Sequence, residues 1–210
     1  MDSREKSISV LMLPWLAHGH ISPFMELAKR LTKRNFFIYF CSTPANLKSI
    51  ELSPKFSPSI KLIDLHLPSS PDLPPHYNTT KGLPPNLMPI LKKAFDSAAP
   101  GFHKILRKLN PDLVIYDMLQ PWAAALALSL NIPAVHFYVT SAVMAAFLDH
   151  AGRNPGVEFL NPRIFLHDYM KPKFSHLLES ISNGMKDQDK VKECHEWSSN
   201  IILITGGEIY

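Results

Sequence analysis

Short apolar runs bounded by turn residues alternate along the chain with stretches in which apolar side chains recur every three or four positions. Ile8–Pro14, flanked by charge and ending on a proline, reads as a buried strand. In Ile21–Lys33 the residues Phe24, Leu27, Ala28 and Leu31 fall on the helical period. "FFIYFCS", Phe36–Ser42, is a second buried strand, and Ser42 or Thr43 stands where it can cap a short helix starting near Pro44. Ile60–Leu65 is a third strand, followed by a proline-rich loop over 66–83. Leu87–Leu109 is a long helical stretch interrupted near Pro100. Asp112–Asp117 is a fourth strand, Trp122–Leu130 a helix, Ala134–Tyr138 a fifth strand and Ser141–Ala151 a helix. Beyond an irregular segment, 152–172, helical patterns recur at 173–185 and 188–197, and Asn200–Thr205 is a last strand.

This alternation predicts an α/β fold, a Rossmann-like parallel sheet with helices on both faces. Ligands of such sheets sit beyond the carboxyl ends of the strands. His18 and His20 follow the first strand, Asp117 ends the fourth, and Thr140 and Ser141 follow the fifth. The rule places these five residues on one edge of the sheet.

Composition narrows the function class. The 210 residues carry a net charge of +4, with Lys and Arg scattered rather than striped, which speaks against a nucleic-acid surface. Two cysteines, Cys41 and Cys194, make no disulfide framework and suit a reducing compartment. The charged start "MDSREKS" lacks a secretory apolar core, so the expected location is cytoplasmic. The most apolar tract, Ala134–Leu148, is too short and too polar to span a bilayer. No His, Cys or Asp cluster has metal-ligand spacing, so no metal is expected. A dinucleotide fingerprint, a phosphate-loop signature and a hydrolase nucleophile elbow are all missing.

What remains is acid–base chemistry. A histidine at a helix start feels the positive end of the helix dipole, which favours the neutral imidazole that accepts a proton. A carboxylate on the next strand end can hold the other ring nitrogen and stabilise the imidazolium. His20 and Asp117 therefore read as a base with its orienting group. Without a side-chain nucleophile, the attacking group is a hydroxyl of a bound substrate. The plainer alternative makes His20 a solvated loop residue and Asp117 a helix cap.

Four stretches carry a resemblance: "LMLPWLAHGHISPFMELAKRL", "YNTTKGLPPNLMPILKKAFD", "LNPDLVIYDMLQPWAAALALSLNIPAVHFYVTSAV" and "FLHDYMKPKF". Over about Ile8 to Asn200 the chain resembles the N-terminal half of a plant UDP-dependent glycosyltransferase of the GT-B type. Within that family it is most similar to the branch-forming group, which extends a sugar already on a terpenoid or flavonoid. The mogroside and crocetin glucosyltransferases belong to that group. The resemblance implies direct inversion at the anomeric carbon, UDP-glucose as co-substrate and no cofactor or metal. It makes His20 the base and Asp117 its partner. Gly19 approaches the donor phosphates, and Thr140 lies near the donor sugar. Acceptor contacts come from the loop near Thr80–Pro85, from Leu119 and Gln120, from Ser141 and Met144 on the helix after Thr140, and from the segment around Phe165–Phe174. His18 takes no catalytic role.

In this family the nucleotide sugar is held mostly by a C-terminal domain whose long Trp-, His-Cys-Gly- and Asp-Gln-containing motif is absent here, and "TGGEIY" differs from the usual sequence after the last strand. Residues 1–210 are thus expected to form the acceptor-binding domain, inactive alone, with the donor-binding domain as a second chain or a missing segment. A glycoside-binding module without catalysis and one subunit of a split glycosyltransferase are the competing expectations. The acceptor, the 1→6 linkage and the identity of the sugar rest on the resemblance alone.

Overall fold

In the computed structural model, residues 7–154, 156–198 and 202–204 are described. Six strands form one parallel sheet in the order β3-β2-β1-β4-β5-β8. They are β1 (Ile8–Leu13), β2 (Phe36–Ser42), β3 (Ile60–Asp64), β4 (Leu113–Tyr116), β5 (Ala134–Tyr138) and β8 (Ile202–Ile204). β1 pairs with β2 on one side and with β4 on the other. The chain winds outward from β1 to β3, then returns to the far side of β1. The switch point of the topology therefore lies between β1 and β4, where a crevice opens at the strand ends of such sheets.

Alternation along the strands sorts two cores. Val10, Met12, Ile38, Phe40 and Ile115 point to one face, covered by Ile21, Phe24, Met25 and Ala28 of α1 (His18–Thr32) and by Leu47 of α2 (Pro44–Leu47). Leu11, Leu13, Cys41, Val114 and Tyr116 point to the other. That face is covered by α3 (Met88–Asp96), α4 (Ala99–Leu109), α5 (Pro121–Ser129) and α8 (Asp187–Trp197), through residues such as Phe95, Phe102, Ala123 and Cys194. Edge-to-face contacts of Phe95 and Phe102 with Trp122 knit α3, α4 and α5 together.

Several boundaries differ from the pattern-based expectation. The periodicity predicts a helix from Ile21, but α1 begins at His18, because extended Ala17 already receives the His20 and Ile21 amides on its carbonyl. His-Gly-His is thus the first helical turn. Thr43 occupies the cap position of α2 without capping it; its hydroxyl donates to the Asn78 carbonyl at 2.6 Å, and Ser42 bonds Asn46 instead. The 87–109 stretch breaks at Ser97 and Ala98, and Pro100 sits in the first turn of α4, where its missing N–H costs nothing.

The helix predicted at 173–185 is shorter. α7 spans Lys171–Glu179, and the remainder forms a hairpin of β6 (Ile181–Ser182) and β7 (Met185–Lys186). Asn183 and Gly184 at its tip both have positive φ, the backbone that an Asn-Gly hairpin turn requires. α6 (Ala142–Arg153) and α8 lie where the pattern puts them. The last strand is described only at Ile202–Ile204; its predicted ends and "TGGEIY" lie outside the described residues. Among the described residues no helix is long and apolar enough to cross a membrane.

Candidate active site

His20 and Asp117 flank the switch point. Asp117 directly follows β4, and His20 is the third residue of α1, one short loop beyond β1. Their side chains meet: His20 Nδ1 lies 2.8 Å from Asp117 Oδ2. Asp117 is fully buried, and the His20 side chain is 22% exposed. A buried carboxylate must be saturated with donors. The same Oδ2 accepts the Trp15 main-chain N–H at 2.9 Å, and Oδ1 accepts the Met118 N–H at 2.7 Å. With Asp117 ionised and accepting, Nδ1 is the protonated nitrogen, and Nε2 carries the free lone pair. Asp117 therefore does not cap a helix; the cap position of α5 is Gln120.

The neighbouring candidates fall around this pair to different degrees. Gly19 is exposed beside His20; a Cβ there would meet nothing within 4 Å, and its φ is not left-handed. Nothing in the packing of this chain asks for glycine, although it costs about 1 kcal/mol in a helix relative to alanine. Thr80 is drawn in by its N–H, which donates to the Leu16 carbonyl at 3.0 Å and pins the proline-rich loop onto the segment carrying His20. Leu119 is 9% exposed and Gln120 fully buried, so the β4–α5 turn backs the site rather than opening into it. Gln120 Oε1 accepts the Leu119 N–H, while its Nε2 has no partner. Half-buried Thr140 follows β5 with its N–H on the Tyr138 carbonyl. Ser141 caps α6 by accepting the Met144 N–H at 3.2 Å, and Met144 is exposed. His18 is exposed.

The Phe165–Phe174 segment does not join the dyad directly. With α6 it walls a separate cleft of about 590 Å³, a volume suited to a small molecule. Phe147, Phe159, Ile164 and Phe165 give it an apolar lining, and Glu158, Asp168 and Lys171 add polar groups. Val143, Met144 and Tyr169 extend the exposed apolar surface on the same elements. Among the described residues no group of three or more His, Cys, Asp or Glu side chains is placed to hold a metal.

Pattern reasoning overlooks what lies behind the dyad. His136, in mid-β5, is fully buried with neither ring nitrogen partnered; its ring lies 4.9 Å from that of His195 on α8, whose Nε2 is also buried and unpartnered. A histidine inside the apolar run "AVHFY" is the signal that marks it. Burial, reinforced by His195, pushes the His136 pKa down to about 3, and burial lowers His195 too. In the unfolded chain both protonate near pH 6.5. Their contribution is therefore intact above pH 6.5 and lost as pH falls from there towards 3. The neutral His136 requirement alone is worth roughly 2 kcal/mol of lost stability by pH 5. Urea unfolding followed from pH 7 to pH 4.5 should show this slope, and His136→Phe should flatten it.

Comparison with known proteins now bears on this geometry. The family described as "Glycosyltransferase, N-terminal domain" matches residues 6–193. The chain belongs to that family. Among curated proteins it is 49% identical to "UDP-glucosyltransferase 29" of Panax ginseng over 97% of this chain and 45% of that protein. It is 50% identical to the "Beta-D-glucosyl crocetin beta-1,6-glucosyltransferase" of Gardenia jasminoides over 87% of this chain and 41% of that protein. A "Mogroside IIIx synthase" of Siraitia grosvenorii is 47% identical over 97% of the chain. The chain thus spans less than half the length of these relatives. The fold matches UGT73P12 of Glycyrrhiza uralensis, solved with glycyrrhetinic acid 3-O-monoglucuronide, with a TM-score of 0.71 at 18% identity, covering 96% of this chain and 44% of that one. The expected Rossmann-like sheet, the N-terminal GT-B architecture and the branch-forming relatives all stand.

Proposed function

We propose that this glycosyltransferase N-terminal domain supplies the acceptor site and the base for an inverting transfer of glucose from UDP-glucose to a sugar hydroxyl of a terpenoid or flavonoid glycoside. The observation that carries the reading is the His20–Asp117 pair at 2.8 Å, with a buried, fully bonded carboxylate and an accessible imidazole. His20 Nε2 takes the proton of the acceptor hydroxyl as its oxygen bonds to the anomeric carbon. The bond from that carbon to the phosphate oxygen breaks, and UDP leaves with the electron pair. Asp117 stabilises the imidazolium until the proton passes to solvent. The first amides of α1 have no side-chain cap, and the bare Gly19 lets a phosphate approach them, which suits the donor end of the reaction.

The relatives named for acting on glucosyl crocetin and on a flavanone 7-O-glucoside favour a glycosylated acceptor, and the first of them, a beta-1,6-glucosyltransferase, favours 1→6 branching over the 2''-O position of the second. The acceptor's apolar body fits the cleft walled by Phe147 and Phe165, while Thr80, Ser141 and Met144 border the path to His20; Leu119 and Gln120 support that wall from behind. We place the protein in the cytoplasm, and its partner in catalysis is a donor-binding domain, either as a continuation of the same polypeptide or as a second chain.

The test is to incubate the purified chain with UDP-glucose and a glucosylated acceptor, alone and with a separately expressed donor-binding half of a relative. Transfer needs donor carbon, acceptor oxygen and base in one geometry. Product is expected only in the mixture. UDP release by the pure chain alone, or no product in a mixture shown to associate, would defeat the proposal.

A further inference from the structure

Cys194 of α8 makes contacts that no packing role requires. Its main-chain carbonyl accepts the Tyr116 hydroxyl at 2.5 Å. Its Sγ–H donates to the Asp117 main-chain carbonyl at 3.5 Å, and the sulfur receives the Gln120 main-chain N–H. The Cys194 thiol thus grips two positions of the β4–α5 turn, Asp117 and Gln120, while its main chain is tied to the end of β4 through Tyr116. The residue is fully buried, and burial pushes its thiol well above the usual range, so the sulfur keeps the proton it donates. α8 is itself fixed: Lys190 donates to Asp96 at 2.6 Å and to Ser182 at 2.9 Å, and Ser198 accepts the His136 N–H at 3.0 Å.

We infer that Cys194 is a positioning residue for the His20–Asp117 dyad, setting the orientation of the Asp117 carboxylate by clamping its turn from behind. The inference rests on the proposed role of His20 only for its catalytic consequence. The geometric part stands or falls on His20 itself. A side chain that only filled space would be replaceable by any residue of similar volume. A clamp that works through S–H and lone pairs demands a group that both donates and accepts, which serine retains and alanine lacks.

The experiment is a long-range proton–nitrogen NMR correlation on the chain with nitrogen-15-labelled histidine, the His20 signals being assigned by their loss in His20→Gln. In the wild type His20 should show a protonated Nδ1 and an unprotonated Nε2. Cys194→Ala should move both nitrogen shifts towards the average of the two tautomers, and Cys194→Ser should restore them. Leu106→Ala removes volume from the same core face at α4, outside the β4–α5 turn, and it should leave His20 unchanged. Cys194→Val, which fills the space without a donor or an acceptor, decides the matter if Cys194→Ala does not fold. In a transfer-competent assembly with a donor-binding half, Cys194→Ala should lower kcat about tenfold with acceptor KM within about twofold. Unchanged His20 shifts in Cys194→Ala or, if that does not fold, in Cys194→Val, or equal displacement in Leu106→Ala, overturns the inference. Failure of transfer in every variant, the wild type included, with the shift pattern intact, would instead count against the proposed function.

Discussion

Replacing His20 with alanine, in an enzyme completed by a donor-binding half, is expected to lower glycosyl transfer by a hundredfold to ten-thousandfold, the range that a positioned general base contributes. Acceptor affinity should stay within about threefold, because the ring presents one nitrogen to the hydroxyl while the apolar body is held elsewhere. The cause lies in the tautomer. Asp117 accepts a hydrogen bond from Nδ1–H at 2.8 Å, so the basic nitrogen faces outward and no ring flip is needed before proton transfer. A glutamine at position 20 keeps a polar group but no titratable base, and it should be as poor as alanine. Transfer within a few-fold of wild type in His20→Ala, with acceptor binding intact, would remove His20 from the chemistry.

Lys190→Met is expected to destabilise the fold by about 3–5 kcal/mol, the usual penalty for removing one member of a buried ion pair. Lys190 is 4% exposed and neutralises Asp96, whose other oxygen accepts the Trp122 indole N–H at 3.1 Å. Without the ammonium, a carboxylate is left buried against Trp122 at the end of α3. A second pair, Lys92 with Asp187, joins α3 to the start of α8, with Ser180 as an additional acceptor for Lys92. Lys190→Met combined with Asp96→Leu should recover most of the loss, since an apolar pair of similar volume is often as stable as the buried ions it replaces. Urea midpoints of the single and double variants check this. A single variant within about 1 kcal/mol of wild type would mean that Asp96 finds water or another cation.

The sheet was legible because buried parallel strands are near-continuous apolar runs, and "VLML", "FFIYFC" and "LVIY" are plain cases. The dyad was legible for a related reason: polar groups at the carboxyl ends of such strands have few structural excuses, and His20 and Asp117 both stand there. Cys194 was not legible. Its partners are main-chain groups and a hydroxyl about 74 to 78 positions away, and such contacts leave no periodic trace. Lys92 and Lys190 were equally hidden, since a lysine in an amphipathic helix reads as solvated until a carboxylate more than ninety residues distant buries it. The 181–186 hairpin did carry a signal, Asn183-Gly184, which the helical spacing around it masked.

The measurement that tests the account most directly is the anomeric configuration of the product, read from the proton NMR coupling of the new glycosidic bond. The assay uses UDP-α-D-glucose, a glucosylated acceptor and the chain completed by a donor-binding half. A single displacement by an acceptor hydroxyl that His20 deprotonates inverts the anomeric carbon and gives a β-linked product. An α-linked product would require a covalent or front-face route that the His20–Asp117 pair does not provide, and it would contradict the account.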